Sequence, residues 1–82
     1  MRFDVLLHDL RLFKSRSQAA AAIESGHALL NGAGVKPSRE AHSGQRITLV
    51  VRGERRTLEI LDLPQGSVSK EKARTLVREV SE

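Results

Sequence analysis

The 82-residue chain contains no cysteine. Disulfides and thiolate metal sites are therefore excluded, and the redox compartment is left open, with a reducing cytoplasm as the default. No apolar run approaches the ~20 residues of a membrane span, so no membrane partner is expected. The opening stretch MRFDVLLHDLRLFK carries acids within its apolar part and lacks a small-residue cleavage site, which is not the pattern of a signal peptide. His8, His27 and His42 are too scattered to form a metal set, and neither H-x-x-x-H nor H-E-x-x-H occurs. There is no G-x-S-x-G turn, no phosphate-binding loop of the Walker type and no G-x-G-x-x-G. Asp4 and Asp9 do not face each other at their spacing on a helix. A chain this small has room for one modest core and no deep catalytic cavity. The expectation is a non-enzyme without cofactor, metal or small-molecule substrate.

What the chain does have is positive charge, unevenly spread. The formal net charge is +4; residues 1–56 hold ten Lys/Arg against five Asp/Glu, and residues 57–82 hold four against five. A localised basic surface points to phosphate-bearing partners, nucleic acid first. Aromatic side chains are scarce: Phe3 and Phe13 are the only Phe, Tyr or Trp residues, and both fall on one apolar stripe. Base-stacking platforms of the single-strand type are therefore not expected.

The stretch Lys14–Gly32 organises the rest. Ser15 is a good N-cap, and Gln18 completes a capping box. Ala19, Ala22 and Ile23 form a thin helical stripe, and Gly26 stands where a left-handed residue ends a helix. His27–Leu30 is short and β-compatible, and Asn31-Gly32 is a strong hairpin signal. Lys14 and Arg16 flank the N-cap, where the helix end already carries partial positive charge, at a cost of roughly 0.3–1 kcal/mol each. A phosphate there would meet unpaired N–H groups and two cations together.

Before this stretch, Phe3, Leu6, Leu7 and Leu10 recur at helical spacing and Phe13 extends the stripe, giving a first amphipathic helix with Asp4 in its first turn and Arg11 in its last. The two helices form an αα unit whose junction gathers Arg11, Lys14 and Arg16 without an acid among them. Beyond it, Ala33–Lys36 reads as a short return segment, and Ser38, Ser43 and Gly44 mark a loop holding Lys36 and Arg39. Residues 46–62 read as a hairpin: Ile47, Leu49 and Val51 alternate on one strand, Arg52–Arg55 connect, and Thr57–Asp62 is the partner. Arg52, Arg55 and Arg56 read as a solvated tip. Pro64-Gln65-Gly66-Ser67 breaks the chain, and a last helix over about 69–81 is capped by Ser69, with Ala73, Leu76, Val77 and Val80 covering the sheet.

The spaced set Arg2-Phe3-Asp4, Ser15-Arg16-Ser17-Gln18-Ala19, Ile23, Gly26, Asn31-Gly32 and Gly44 before Ile47 resembles the RNA-binding domain named after small-subunit ribosomal protein four, the S-four domain. The pattern covers residues 1 to about 51. Arg11–Ser17, with Asn31-Gly32 and Lys36-Pro37-Ser38-Arg39, is similar to one branch, which holds the stand-alone heat-shock protein fifteen and small bacterial ribosome-associated quality-control proteins. The resemblance implies an α+β fold, with two N-terminal helices on a small bent, mostly antiparallel sheet and a C-terminal helix, as one RNA-binding domain over 1–82. It implies RNA contacts from Arg2, Arg11, Lys14, Ser15, Arg16 and Gln18, with Lys36, Ser38 and Arg39 across the loop. It further implies a protein that binds structured rRNA and tRNA on the large ribosomal subunit, where a nascent chain is still attached to tRNA after a stall; a monomer in the cytoplasm is the accompanying expectation. Gln45 stands where the family has Asp, and Leu6 and His8 stand near positions that hold tryptophan in the heat-shock member. The chain ends after one helix, without that member's long basic extension, which brings it nearer the small quality-control proteins.

Two other readings accompany this one. The domain would target RNA for a separate RNA-modifying enzyme, or it would be a protein-interaction adaptor using the Ala73–Val80 stripe. A stripe buried on the sheet removes the adaptor.

Overall fold

The computed structural model describes residues 1–66 and 68–80. Its elements are α1 (Phe3–Asp9), α2 (Arg16–Glu24), β1 (Ala28–Leu30), β2 (Arg46–Val51), β3 (Glu54–Ile60), α3 (Lys70–Leu76) and β4 (Val77–Val80). The four strands form one antiparallel sheet in chain order, β1-β2-β3-β4. The α+β class and the helix-on-sheet arrangement expected from the sequence are present.

Both N-terminal helices stop in the same way. After α2, the Gly26 N–H donates to Ile23 O (3.2 Å) and the His27 N–H to Ala22 O (2.8 Å), with Gly26 at φ +80°. This is the Schellman ending that the glycine announces. After α1, the Arg11 N–H donates to His8 O (2.9 Å) and the Leu12 N–H to Leu7 O (3.1 Å), with Arg11 at φ +63°. Arg11 is thus not in the last turn of α1 but just past it, in the left-handed conformation. The stripe ends with it: Leu12 and Phe13 leave the helix and pack, half-buried, against the core.

Alternation sets the sheet face. Ala28 pairs with Leu49, Leu30 with Ile47 and Ile47 with Leu58, so these side chains line the face that meets Phe3, Leu6, Leu7, Ala19 and Ile23 of the helices. Asn31-Gly32, at φ +52° and +76°, makes the expected two-residue turn, closed by reciprocal bonds between Leu30 and Ala33. The return segment does not become a strand: Ala33 contributes one bridge, and β1 pairs instead with β2. Asn31 fixes that pairing, since its Oδ1 accepts from Arg46 N and its own N–H donates to Arg46 O (both 2.8 Å).

Two boundaries differ from the sequence reading. The β2–β3 connection is only Arg52-Gly53, both at positive φ, so β3 starts at Glu54 and ends at Ile60 rather than spanning 57–62. A primed two-residue turn matches the twist of its strands, which lets them pair up to the tip. The expected helix over 69–81 is seven residues, Lys70–Leu76, capped by Ser69 Oγ accepting from Lys72 N (3.2 Å). Val77–Val80 then pair antiparallel with β3, Ile60 opposite Val77 and Thr57 opposite Val80. The open edge of β3 and the β-branched valines favour a strand there, and two cross-strand ion pairs, Arg78 with Glu59 and Arg56 with Glu79, support it. Residues 67, 81 and 82, which fall in the expected break and at the expected helix end, lie outside the described residues. Ala73 and Leu76 are buried and Val77 packs on the core, so the stripe proposed for an adaptor is not free.

Candidate nucleic-acid interface

Ser15 holds the start of α2. Its backbone is extended and its Oγ accepts from Gln18 N (3.1 Å), leaving the N–H groups of Arg16 and Ser17 to face outward. The capping box is only half made: no hydrogen bond joins the Gln18 side chain back to Ser15, so its carboxamide stays exposed. The first turn of this nine-residue helix contains no acid. Lys14 and Arg16 are exposed on either side of the cap. Dipole, unpaired donors and two cations therefore coincide at one helix end.

A buried carboxylate ties this end to the rest of the predicted set. Asp4, its side chain 6% exposed, takes the Arg2 guanidinium in a two-pronged contact (Nε 3.1 Å, Nη2 3.0 Å) and accepts from Val5 N (2.8 Å). Burial is the largest influence on this carboxyl and pushes its pKa up; the Arg2 and Val5 hydrogen bonds and the charges of Arg2 and Arg16 together outweigh it and hold the group below the usual carboxylate range. Arg16 thus lies within the field of Asp4, across the α1–α2 packing. The loop that follows β1 closes on the same point. Its Lys36–Arg39 turn offers Pro37 O to Asp4 N (3.1 Å) and Arg39 O to Phe3 N (2.8 Å), satisfying the otherwise unpaired first N–H groups of α1.

The nine predicted residues therefore fall into two groups joined by Ser15. Arg2, Arg16, Lys36, Ser38 and Arg39 are all exposed and lie on segments that meet at the start of α1, with the Arg2 guanidinium held by Asp4. Arg11 and Lys14 line a cleft of about 780 Å³ that opens beside the α2 cap, between the α1–α2 connection, β3 and α3. Gln18 lies one turn along α2, beside the cap. Sequence reasoning gave Asp4 a place in the family pattern and in the first turn of α1 but no role in the site; its position two residues after Arg2 was the available signal for an anchoring role. It missed Arg56, Lys70 and Arg74, which line the same cleft and which only the tertiary fold brings near Lys14. Among the described residues, no group of three or more His, Asp or Glu side chains is placed to hold a metal ion, and no helix is long and apolar enough to cross a membrane.

Comparison with known proteins gives the same picture from another side. Residues 1–47 match the S4 domain family. Among solved structures, the chain is similar to the Heat Shock Protein 15 of Vibrio cholerae, described as trimeric, with 31% identity and a TM-score of 0.91 over 99% of this chain and 82% of that one. It is also similar to the hypothetical protein HP1423, with 26% identity and a TM-score of 0.83 over 100% and 99% of the two chains. No protein of curated function matches the sequence.

Proposed function

The chain belongs to the S4 domain family of RNA-binding domains, and from that premise we propose that it is a non-catalytic cytoplasmic factor, working as a monomer, that binds structured rRNA and tRNA on large ribosomal subunits still carrying peptidyl-tRNA. The observation that supports this most is the acid-free start of α2, where Lys14, the Ser15 cap and Arg16 present donors and cations to one phosphate strand. Lys36 and Arg39, fixed through the backbone to α1, would meet the neighbouring strand. Such a surface reads the spacing of phosphates and 2′-hydroxyls more than base edges. The likeness to Heat Shock Protein 15 across nearly the whole chain favours a ribosomal target over the RNA-modification module.

The test is binding to purified large subunits, with and without peptidyl-tRNA, over a salt series. Wild type is expected to prefer the tRNA-bearing subunits. Each phosphate contact adds about −0.7 to −0.9 to the slope of log K against log salt, so Lys14→Ala/Arg16→Ala should flatten that slope by about 1.4–1.8. Equal binding by the double variant would remove the α2 start as the contact site. Absence of any preference for tRNA-bearing subunits would remove the quality-control role while leaving RNA binding in place.

A further inference from the structure

The cleft behind Lys14 has a composition that a phosphate clamp alone does not require. Five of its lining residues are cations, namely Arg11, Lys14, Arg56, Lys70 and Arg74, and none is an acid. Arg11 Nη1 donates to Val68 O (3.1 Å), and Arg56 pairs with Glu79 (2.8 Å). The side chains of Lys14, Lys70 and Arg74 have no hydrogen bond or ion pair among the described residues. Three unpaired cations around one concavity repel each other until an anion enters. The floor between them is apolar, built from Leu10, Leu12, Phe13, Leu58, Ala73 and Val77. A site for phosphate alone would have no use for that floor; a nucleotide, with a flat apolar base and an anionic backbone, matches both parts. The volume lies within the range of small-molecule sites, about 300–1,000 Å³, room enough for one unpaired nucleotide.

We propose that this cleft receives an unpaired nucleotide of the bound RNA, its base against Leu12, Phe13 and Val77 and its phosphates among Lys14, Lys70 and Arg74. The proposal rests on the RNA-binding reading above and extends it. Lys14 directly precedes the α2 cap, so an RNA strand lying on the helix start reaches the cleft without a gap. Arg56, Lys70 and Arg74 lie outside residues 1–47, so the matched domain supplies one wall of this second site and the part of the chain beyond it supplies the other. Phe13, which the sequence placed in the core stripe, is half-buried and exposes part of its ring to the cleft, where it can take a base.

The experiment compares two probes, a closed-stem hairpin RNA and the same hairpin with a short unpaired 3′ tail. Wild type should bind the tailed hairpin about tenfold more tightly, the gain expected from one stacked base and its phosphate. Lys70→Ala/Arg74→Ala should lose that preference and bind the closed stem as wild type does, with an unchanged thermal melt since both residues are exposed. Lys14→Ala/Arg16→Ala should weaken binding to both probes. Equal wild-type affinity for the two probes, or a preference that survives in Lys70→Ala/Arg74→Ala, overturns the cleft while the α2 contact stands. Failure of wild type to bind either probe overturns the RNA surface itself, and the cleft with it.

Discussion

Leu76→Asp is expected to abolish the cooperative unfolding transition in urea, whereas Lys72→Asp, on the exposed side of the same helix, leaves it in place. Leu76 is 5% exposed and belongs to the single core that joins helices and sheet. Loss of a buried Leu side chain costs about 2–5 kcal/mol through lost burial and the cavity left behind. A carboxylate in its place adds several kcal/mol of desolvation. A domain of this size has roughly 4–12 kcal/mol in all, at about 0.05–0.15 kcal/mol per residue. The sum reaches or exceeds what is available. The position also matters for topology, because Leu76 O accepts from Leu61 N (2.8 Å) and Asp62 N (3.2 Å) where helix turns into β4. A folded Leu76→Asp variant with wild-type stability would mean that this helix is detachable, and the adaptor reading would return.

The second large effect concerns Asp4. Asp4→Ala should lower stability by about 2 kcal/mol at neutral pH, the scale of a charge-assisted, two-pronged contact with an added backbone bond. Its pH dependence has a definite sign. The folded-state pKa of Asp4 is depressed. The unfolded chain therefore binds more protons through the ordinary Asp range, near about 3.9. The stabilisation is complete above that range and disappears as pH falls through it and then through the lower folded value. The gap between wild type and Asp4→Ala in urea unfolding should thus close toward acid pH. Glu40, depressed by the N-terminal ammonium it pairs with, titrates in the same direction, so Glu40→Gln in both backgrounds separates the two. A gap that stays constant with pH would show that Asp4 acts through packing and not through its charge.

How far the sequence could be read depended on how local each signal was. The start and end of α2 were legible because Ser15 and Gly26 each satisfy backbone groups within their own turn. Asn31-Gly32 was legible for the same reason. Val77–Val80 was not, since its valines satisfy a helical stripe continued from Ala73 and Leu76 equally well as a strand edge. Only the unpaired side of β3 decides between the two. The α2 half of the site could be read from three consecutive residues, Lys14, Ser15 and Arg16. The cleft could not, because it brings residues 10–14 against residues 56–58 and 70–77. The role of Asp4 needed the 36–39 turn and Arg16 in place around it.

The two helix endings described above share the same pair of backbone hydrogen bonds but place different residues in the left-handed position: Gly26 in one, Arg11 in the other. A side chain in the left-handed region costs about 1–2 kcal/mol relative to the ordinary helical one, a cost that glycine escapes at the expense of greater freedom when unfolded. For anyone engineering a hardier version of this domain, Arg11→Gly is the first substitution that suggests itself, and it is the one to avoid. It would relieve the backbone, but it would also remove the Arg11–Val68 bond and, in the same step, a cation from the rim of the cleft. On the reading proposed above, backbone comfort and RNA binding make opposite demands on residue 11.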